Sequence, residues 1–173
     1  MTPFDSVERR QLEARSNSGA RWFYTIAIFS LITSIISLTG SHWVFLVSLG
    51  ITQVVDAMAR GAASKFGAGA MAVALVFDFI AAGVFALVGY FASKHHPWAF
   101  ILGMVLYALD ALVFLLLMIY AADTGLIIAL AFHAYALFQV SRGYGACARL
   151  AGMGKAVFDA PPPPPASTRQ SMS

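Results

Sequence analysis

Five stretches of the chain stay apolar for about 17 to 24 residues each, the length a helix needs to cross a hydrocarbon layer of about 30 Å. They are residues 22–38, 43–58, 70–91, 98–122 and 124–140, separated by short polar breaks. A soluble globule cannot bury so much: 60% of the residues are hydrophobic and 11% charged, where soluble domains carry about 25% charge. The mean hydropathy of +0.76 says the same. The predicted class is an all-α integral membrane protein, a bundle of four to five transmembrane helices. The expected organisation is a polar basic N-terminal leader (1–21), the transmembrane bundle (22–145) and a disordered proline-rich C-terminal tail (146–173).

The flanks support membrane insertion. Trp22, Trp43 and Trp98 each open an apolar run, and Tyr90 and Tyr120 lie near the ends of two others, where amphipathic rings settle at headgroup level. The first run is too long for a signal-peptide core, and no small-residue cleavage site follows it, so it is read as a retained anchor. In the leader, Asp5 and Glu8 have capping-box spacing for a short interfacial helix. The second run is the weakest: Asp56 costs about 3 kcal/mol of insertion energy, which cancels most of what its aliphatic residues contribute. If that run dips in without crossing, Arg9, Arg10, Arg15, Arg21, Lys94, Arg142, Arg149 and Lys155 share one side, and only Arg60 and Lys65 face the other. The positive-inside rule then puts the N-terminus in the cytoplasm, with four crossings and one re-entrant or interfacial segment. Beyond the last run, the tract at 161–165 is all proline and reads as a polyproline II linker or disordered end.

A net charge of +3 and a pI near 9.2 do not imply nucleic acid here, because the basic residues sit beside apolar runs, where they set orientation and touch anionic lipid. A lone cysteine, Cys147, excludes an intrachain disulfide and cysteine-built metal sites; its place at the membrane edge suits either a small buried residue or acylation.

Ionisable groups inside apolar runs are the candidates for chemistry, since they are costly in lipid and turn toward protein or water. They are Asp56, Asp78, Asp110 and His133, accompanied by Gln53 and Tyr107. Asp78, Asp110 and His133 fall near the middle of their runs and are expected to share one layer. Asp56 stands one turn before Arg60, which suggests a local pair. Ala74, Asp78, Ala81, Ala82 and Gly89 form a small-residue strip that lets another helix approach closely. Gly103, Tyr107 and Asp110 align similarly, and Ser30, Thr33, Ser34 and Ser37 form a hydroxyl stripe.

Three functions are compatible with such a core. The first is a structural or accessory membrane component whose aspartates are protonated or paired. The second is a small proton- or cation-coupled transporter or channel using intramembrane Asp and His. The third, more remote, is a metal-dependent intramembrane enzyme with Asp78, Asp110 and His133 as ligands; no HxxxH or HExxH spacing supports it, so the chain is read as a non-enzyme without cofactor or metal. His95 and His96 read as a solvated loop. The GxGxxA matches at 67–72 and 143–148 follow no strand and do not imply a dinucleotide. The expected partners are the lipid bilayer and either a second copy of the chain or another membrane protein.

The segments Gly50-Ile51-Thr52-Gln53-Val54-Val55-Asp56, Tyr107-Ala108-Leu109-Asp110-Ala111-Leu112 and Phe132-His133-Ala134-Tyr135-Ala136-Leu137-Phe138, the last followed by Arg142-Gly143, resemble a family of small polytopic bacterial membrane proteins with no assigned activity. The likeness spans roughly residues 22–150. It implies location in a bacterial inner membrane and transfers no substrate or catalytic residue.

Overall fold

Hydrocarbon offers no water to the backbone, so a chain of this composition closes its N–H and C=O groups into helices. The computed structural model describes residues 3–38, 49–66, 68–121 and 126–158. They form five helices: α1 (Pro3–Leu38), α2 (Gly50–Phe66), α3 (Ala68–Ser93), α4 (Pro97–Ala121) and α5 (Leu126–Phe158). The all-α class holds. Among the described residues, three helices are long and apolar enough to cross a membrane, over Ser6–Ile36, Gly69–Ser93 and Pro97–Tyr120.

The distribution of side chains is that of a protein dissolved in lipid. Val73, Ile80, Leu87, Leu109, Leu116, Ile119 and Ile128 are exposed, whereas Ser30, Ser34, Thr52, Asp56, Asp78, Asp110 and His133 are buried. Water would favour the reverse. Packing follows small residues. Gly89 receives Phe23 and Tyr24 of α1, and Gly103 leaves a notch that the Phe23 ring fills. At Gly19 and Gly143 the backbones of α1 and α5 touch: a Cβ on Gly19 would lie 2.5 Å from the Gly143 Cα. The strip on α3 therefore does face protein, with Ala74, Asp78 and Ala82 all buried.

Two expected boundaries shift. The basic leader is no separate element: α1 begins at Pro3, ahead of Asp5, and runs unbroken through residues 3–38 for about 54 Å, well beyond the thickness of the hydrocarbon. Proline suits a first helical position, and no glycine or proline interrupts the polar stretch before Trp22 except Gly19. Likewise α5 continues past Val140 to Phe158, so residues 146–158, expected as disordered tail, are helical. Each extension packs on the other through Leu12, Ser16, Gly19, Gly143, Ala146 and Cys147, so neither is an isolated polar helix in water. The proline tract at 161–165 and residues 43–48 of the second run lie outside the described residues.

One hydrogen bond fixes the topology. Ser16 Oγ of α1 lies 3.1 Å from His95 Nδ1 in the turn between α3 and α4. The start of α1 and the end of α3 are therefore at the same end of the bundle, so α2 makes no net crossing between them. The same end holds the last turns of α5, through the Gly19 to Gly143 contact. It is the basic end, carrying Arg9, Arg10, Arg15, Arg21, Lys94, Arg142 and Arg149, and aromatic pairs ring it: Trp22 with Tyr135 at 5.3 Å and Phe91 with Trp98 at 5.3 Å. His95, expected in a solvated loop, is instead half-buried with a left-handed φ of 60°. Its left-handed backbone is the tight reversal that turns the chain from α3 into α4.

This topology is checked by labelling in a Cys147→Ser background with a membrane-impermeant maleimide. Arg10→Cys, Lys94→Cys and Arg149→Cys should react from one side of the membrane and Lys65→Cys from the other. Labelling of Arg10→Cys from the side opposite Lys94→Cys would mean that α2 crosses.

Candidate functional site

The N-terminus of α2 lies inside the bundle, where its leading N–H groups have no water and no preceding turn to bond. Asp110 of α4 supplies the acceptors. Gly50 N donates to Oδ2 at 2.9 Å and Ile51 N donates to Oδ1 at 3.0 Å. An aspartate some sixty residues away in sequence thus does what an N-cap side chain ordinarily does locally. Glycine at position 50 is required: a Cβ there would come 2.8 Å from Phe114 and 3.1 Å from the Asp110 carbonyl oxygen. Thr52, also buried, donates its hydroxyl to the Leu49 carbonyl at 2.8 Å, tightening the same turn.

His133 of α5 completes this first cluster. Its Nε2 lies 3.0 Å from Asp110 Oδ2, and its Nδ1 lies 2.8 Å from the carbonyl oxygen of Ala129. A carbonyl only accepts, so Nδ1 carries a proton, and one further proton sits in the contact between Nε2 and the carboxylate. The pair is net neutral wherever that proton resides. Two amide donors hold the carboxylate, and the Tyr107 ring stacks on the imidazole at 4.6 Å and 10°. Phe114 closes the other flank at 4.7 Å. Asp110, Tyr107 and His133 therefore converge, as expected from their positions.

Asp78 does not join them. It is completely buried on α3, and among the described residues neither carboxyl oxygen has a hydrogen-bond partner. Its polar neighbours are Asp56 of α2 and Ser34 of α1, close enough to interact electrostatically but outside hydrogen-bonding geometry. The Ser34 hydroxyl is spent on the Ser30 carbonyl at 3.1 Å, and the Ser30 hydroxyl is itself buried and unpartnered. Asp56, read from sequence as a local partner of Arg60, is buried and also stands beside Asp78 of α3. Asp56 precedes Phe66 by as many residues as Asp78 follows Ala68, so antiparallel packing of α2 on α3 brings them level. Two clusters result, one saturated with hydrogen bonds and one starved of them. The three residues considered as metal ligands are divided between the two. Among the described residues no three His, Cys, Asp or Glu side chains group as metal ligands. The side chain of Gln53 and that of Ser37 lie outside the described residues.

At the basic end Cys147 is fully buried beside Ser16, and burial pushes its thiol up from the ordinary value, opposed in part by the Ser16 hydroxyl. An acyl chain could reach it only if α1 and α5 separated. Sequence reading also missed the Gly50 and Ile51 amides and the Ser16 to His95 link. Only the glycine immediately ahead of a helical pattern hints at the first, and nothing hints at the second.

Comparison of the chain with protein-family models, with characterised proteins and with solved structures found no match.

Two outcomes test this geometry. Asp110→Asn places an NH2 where an acceptor is needed, leaving a donor facing a donor, so unfolding in mild detergent should become easier by about 1 to 3 kcal/mol, the cost of an unsatisfied buried polar group. Separately, Cys147 should resist maleimide at neutral pH in the folded protein and react within minutes once denatured; fast labelling of the native form would contradict its burial.

Proposed function

We propose that the protein is a multi-pass protein of a bacterial inner membrane, with a cytoplasmic N-terminus, in which the Asp56 and Asp78 pair takes up and releases a proton or small cation. The observation that carries this reading is the pair of unsatisfied oxygens on Asp78, buried between three helices. A carboxyl group left without partners in a low-dielectric interior is costly, by about 1 to 3 kcal/mol or more, and such costs persist at working sites. A second carboxyl beside it gives two acidic groups that share one charge readily, while the hydroxyls of Ser30 and Ser34 add oxygen ligands of the kind that hard cations take. In this reading Asp110 and His133 are the fixed strut. They hold the start of α2, and α2 holds Asp56 against Asp78. The cytoplasmic N-terminus is supported by the concentration of arginines at the end that contains it.

A second reading, a structural or accessory component with no transported species, is favoured by the complete satisfaction of Asp110. In that case the chain works with a membrane partner or a second copy. A metal-dependent enzyme is the least supported, because its ligands do not converge.

Reconstitution separates the two. Liposomes containing the protein should pass protons or a monovalent cation under an imposed gradient, and Asp78→Asn should lower that flux at least tenfold with unchanged thermal stability, since its oxygens hold no bonds to lose. Flux equal to that of empty liposomes, or undiminished in Asp78→Asn, would leave the structural reading.

A further inference from the structure

The extended ends of α1 and α5 flank an open groove of about 380 Å³ at the basic end of the bundle. Arg15 enters it from α1, and Arg142 and Arg149, two turns apart and so on one face, enter from α5. Among the described residues none of the three guanidiniums meets a carboxylate; the nearby acid, Glu13, is held by Arg9 at 3.0 Å. Arg142 makes only a ring contact with Phe138, at 5.7 Å. Ser18 and Gln139 line the same space, and Leu12 is buried against it. Three unpaired guanidiniums converging from two helices repel one another, and a phosphate is the anion whose oxygens their planar forks fit in pairs.

We propose that this groove binds the phosphate headgroup of an anionic phospholipid. A lipid is favoured over a soluble phosphate by the direction of the groove. Gln139 lies within the apolar run, near Tyr135, to whose hydroxyl it donates at 2.7 Å, whereas Arg149 stands about 15 Å further along α5. The groove thus begins at the edge of the hydrocarbon and rises past the headgroup layer, the course of a glycerophosphate whose acyl chains remain in the bilayer. Trp22 and Trp98 belong to the same end of the bundle and mark the headgroup layer there. A lipid seated there would bridge α1 and α5 beside the Gly19 to Gly143 crossing. The inference needs the bundle to be in a bilayer but is independent of any transport at Asp78.

The test uses the full-length protein in a neutral detergent, supplemented with phosphatidylglycerol, phosphatidylcholine or glycerol phosphate, with retained lipid measured by native mass spectrometry and stability by thermal unfolding. Phosphatidylglycerol should be retained at least tenfold better than phosphatidylcholine and should raise the unfolding temperature. The combined variant Arg15→Gln, Arg142→Gln, Arg149→Gln should lose that preference, and Arg142→Gln alone should weaken it if the combined variant does not fold. A control with the same charge loss, Arg10→Gln, Arg21→Gln, Lys94→Gln, should keep it. Equal retention of both lipids, an undiminished preference in the groove variants, or an equal loss in the control would overturn the proposal. Stabilisation by glycerol phosphate as large as that by phosphatidylglycerol would reassign the groove to a soluble anion and overturn the lipid.

Discussion

Everything in this bundle depends on how a helix can begin in a place without water. The first turn of α2 presents N–H groups to the interior, and in hydrocarbon each unsatisfied group costs several kcal/mol. Asp110 removes that cost from a neighbouring helix, and His133 removes the cost of Asp110 in turn. Tyr107 and Phe114 wall the imidazole from both sides. The assembly carries no net charge, so its burial does not bear the penalty of an isolated ion. It also determines where α2 stands, since a bidentate contact between a side chain and two consecutive amides admits little sliding.

The second cluster takes its character from the first. Because α2 is anchored at Gly50 and packs antiparallel on α3, Asp56 arrives beside Asp78, while α1 brings Ser34 to the same level. Small residues permit this closeness. The Phe23 ring fills the space left by Gly103, and Gly89 leaves room for the Phe23 Cβ and the Tyr24 ring, so α1 lies close against α3. A carboxyl group is thereby sealed among helices that offer it almost nothing, next to another that offers Asp110 all it can accept. The contrast between the two, in one protein core, is between a carboxylate saturated with donors and one that has none among the described residues.

The basic end is built by the two longest helices. Their extensions leave the hydrocarbon yet remain helical because each supplies the other with an apolar face, with glycine against glycine at the crossing. The Ser16 to His95 bond ties the turn of α3 and α4 into the same assembly. Positive charge accumulates there: Glu13 is held by Arg9, and among the described residues no carboxylate meets Arg15, Arg142 or Arg149.

The sequence by itself determined the solvent, the element type and the inventory of buried polar groups. Apolar length is a local, countable quantity, and helical spacing places Ala74, Asp78 and Ala82 on one face whatever lies opposite. It also placed the second run near balance, with Asp56 offsetting its aliphatic residues, and left open whether that run crosses. Tertiary structure decided which polar groups meet. Asp110 and His133 lie near the centres of their apolar runs and were legible as partners, but Asp78 is nearly as central in its own run and belongs elsewhere, because depth along an axis says nothing about rotation around it. The pairing of Asp56 with Asp78 depends on a chain reversal, and the capping of Gly50 by Asp110 on an interhelical distance. The helical ends of α1 and α5 depend on each other. Each is a relation between segments, and periodicity records only what one segment does alone.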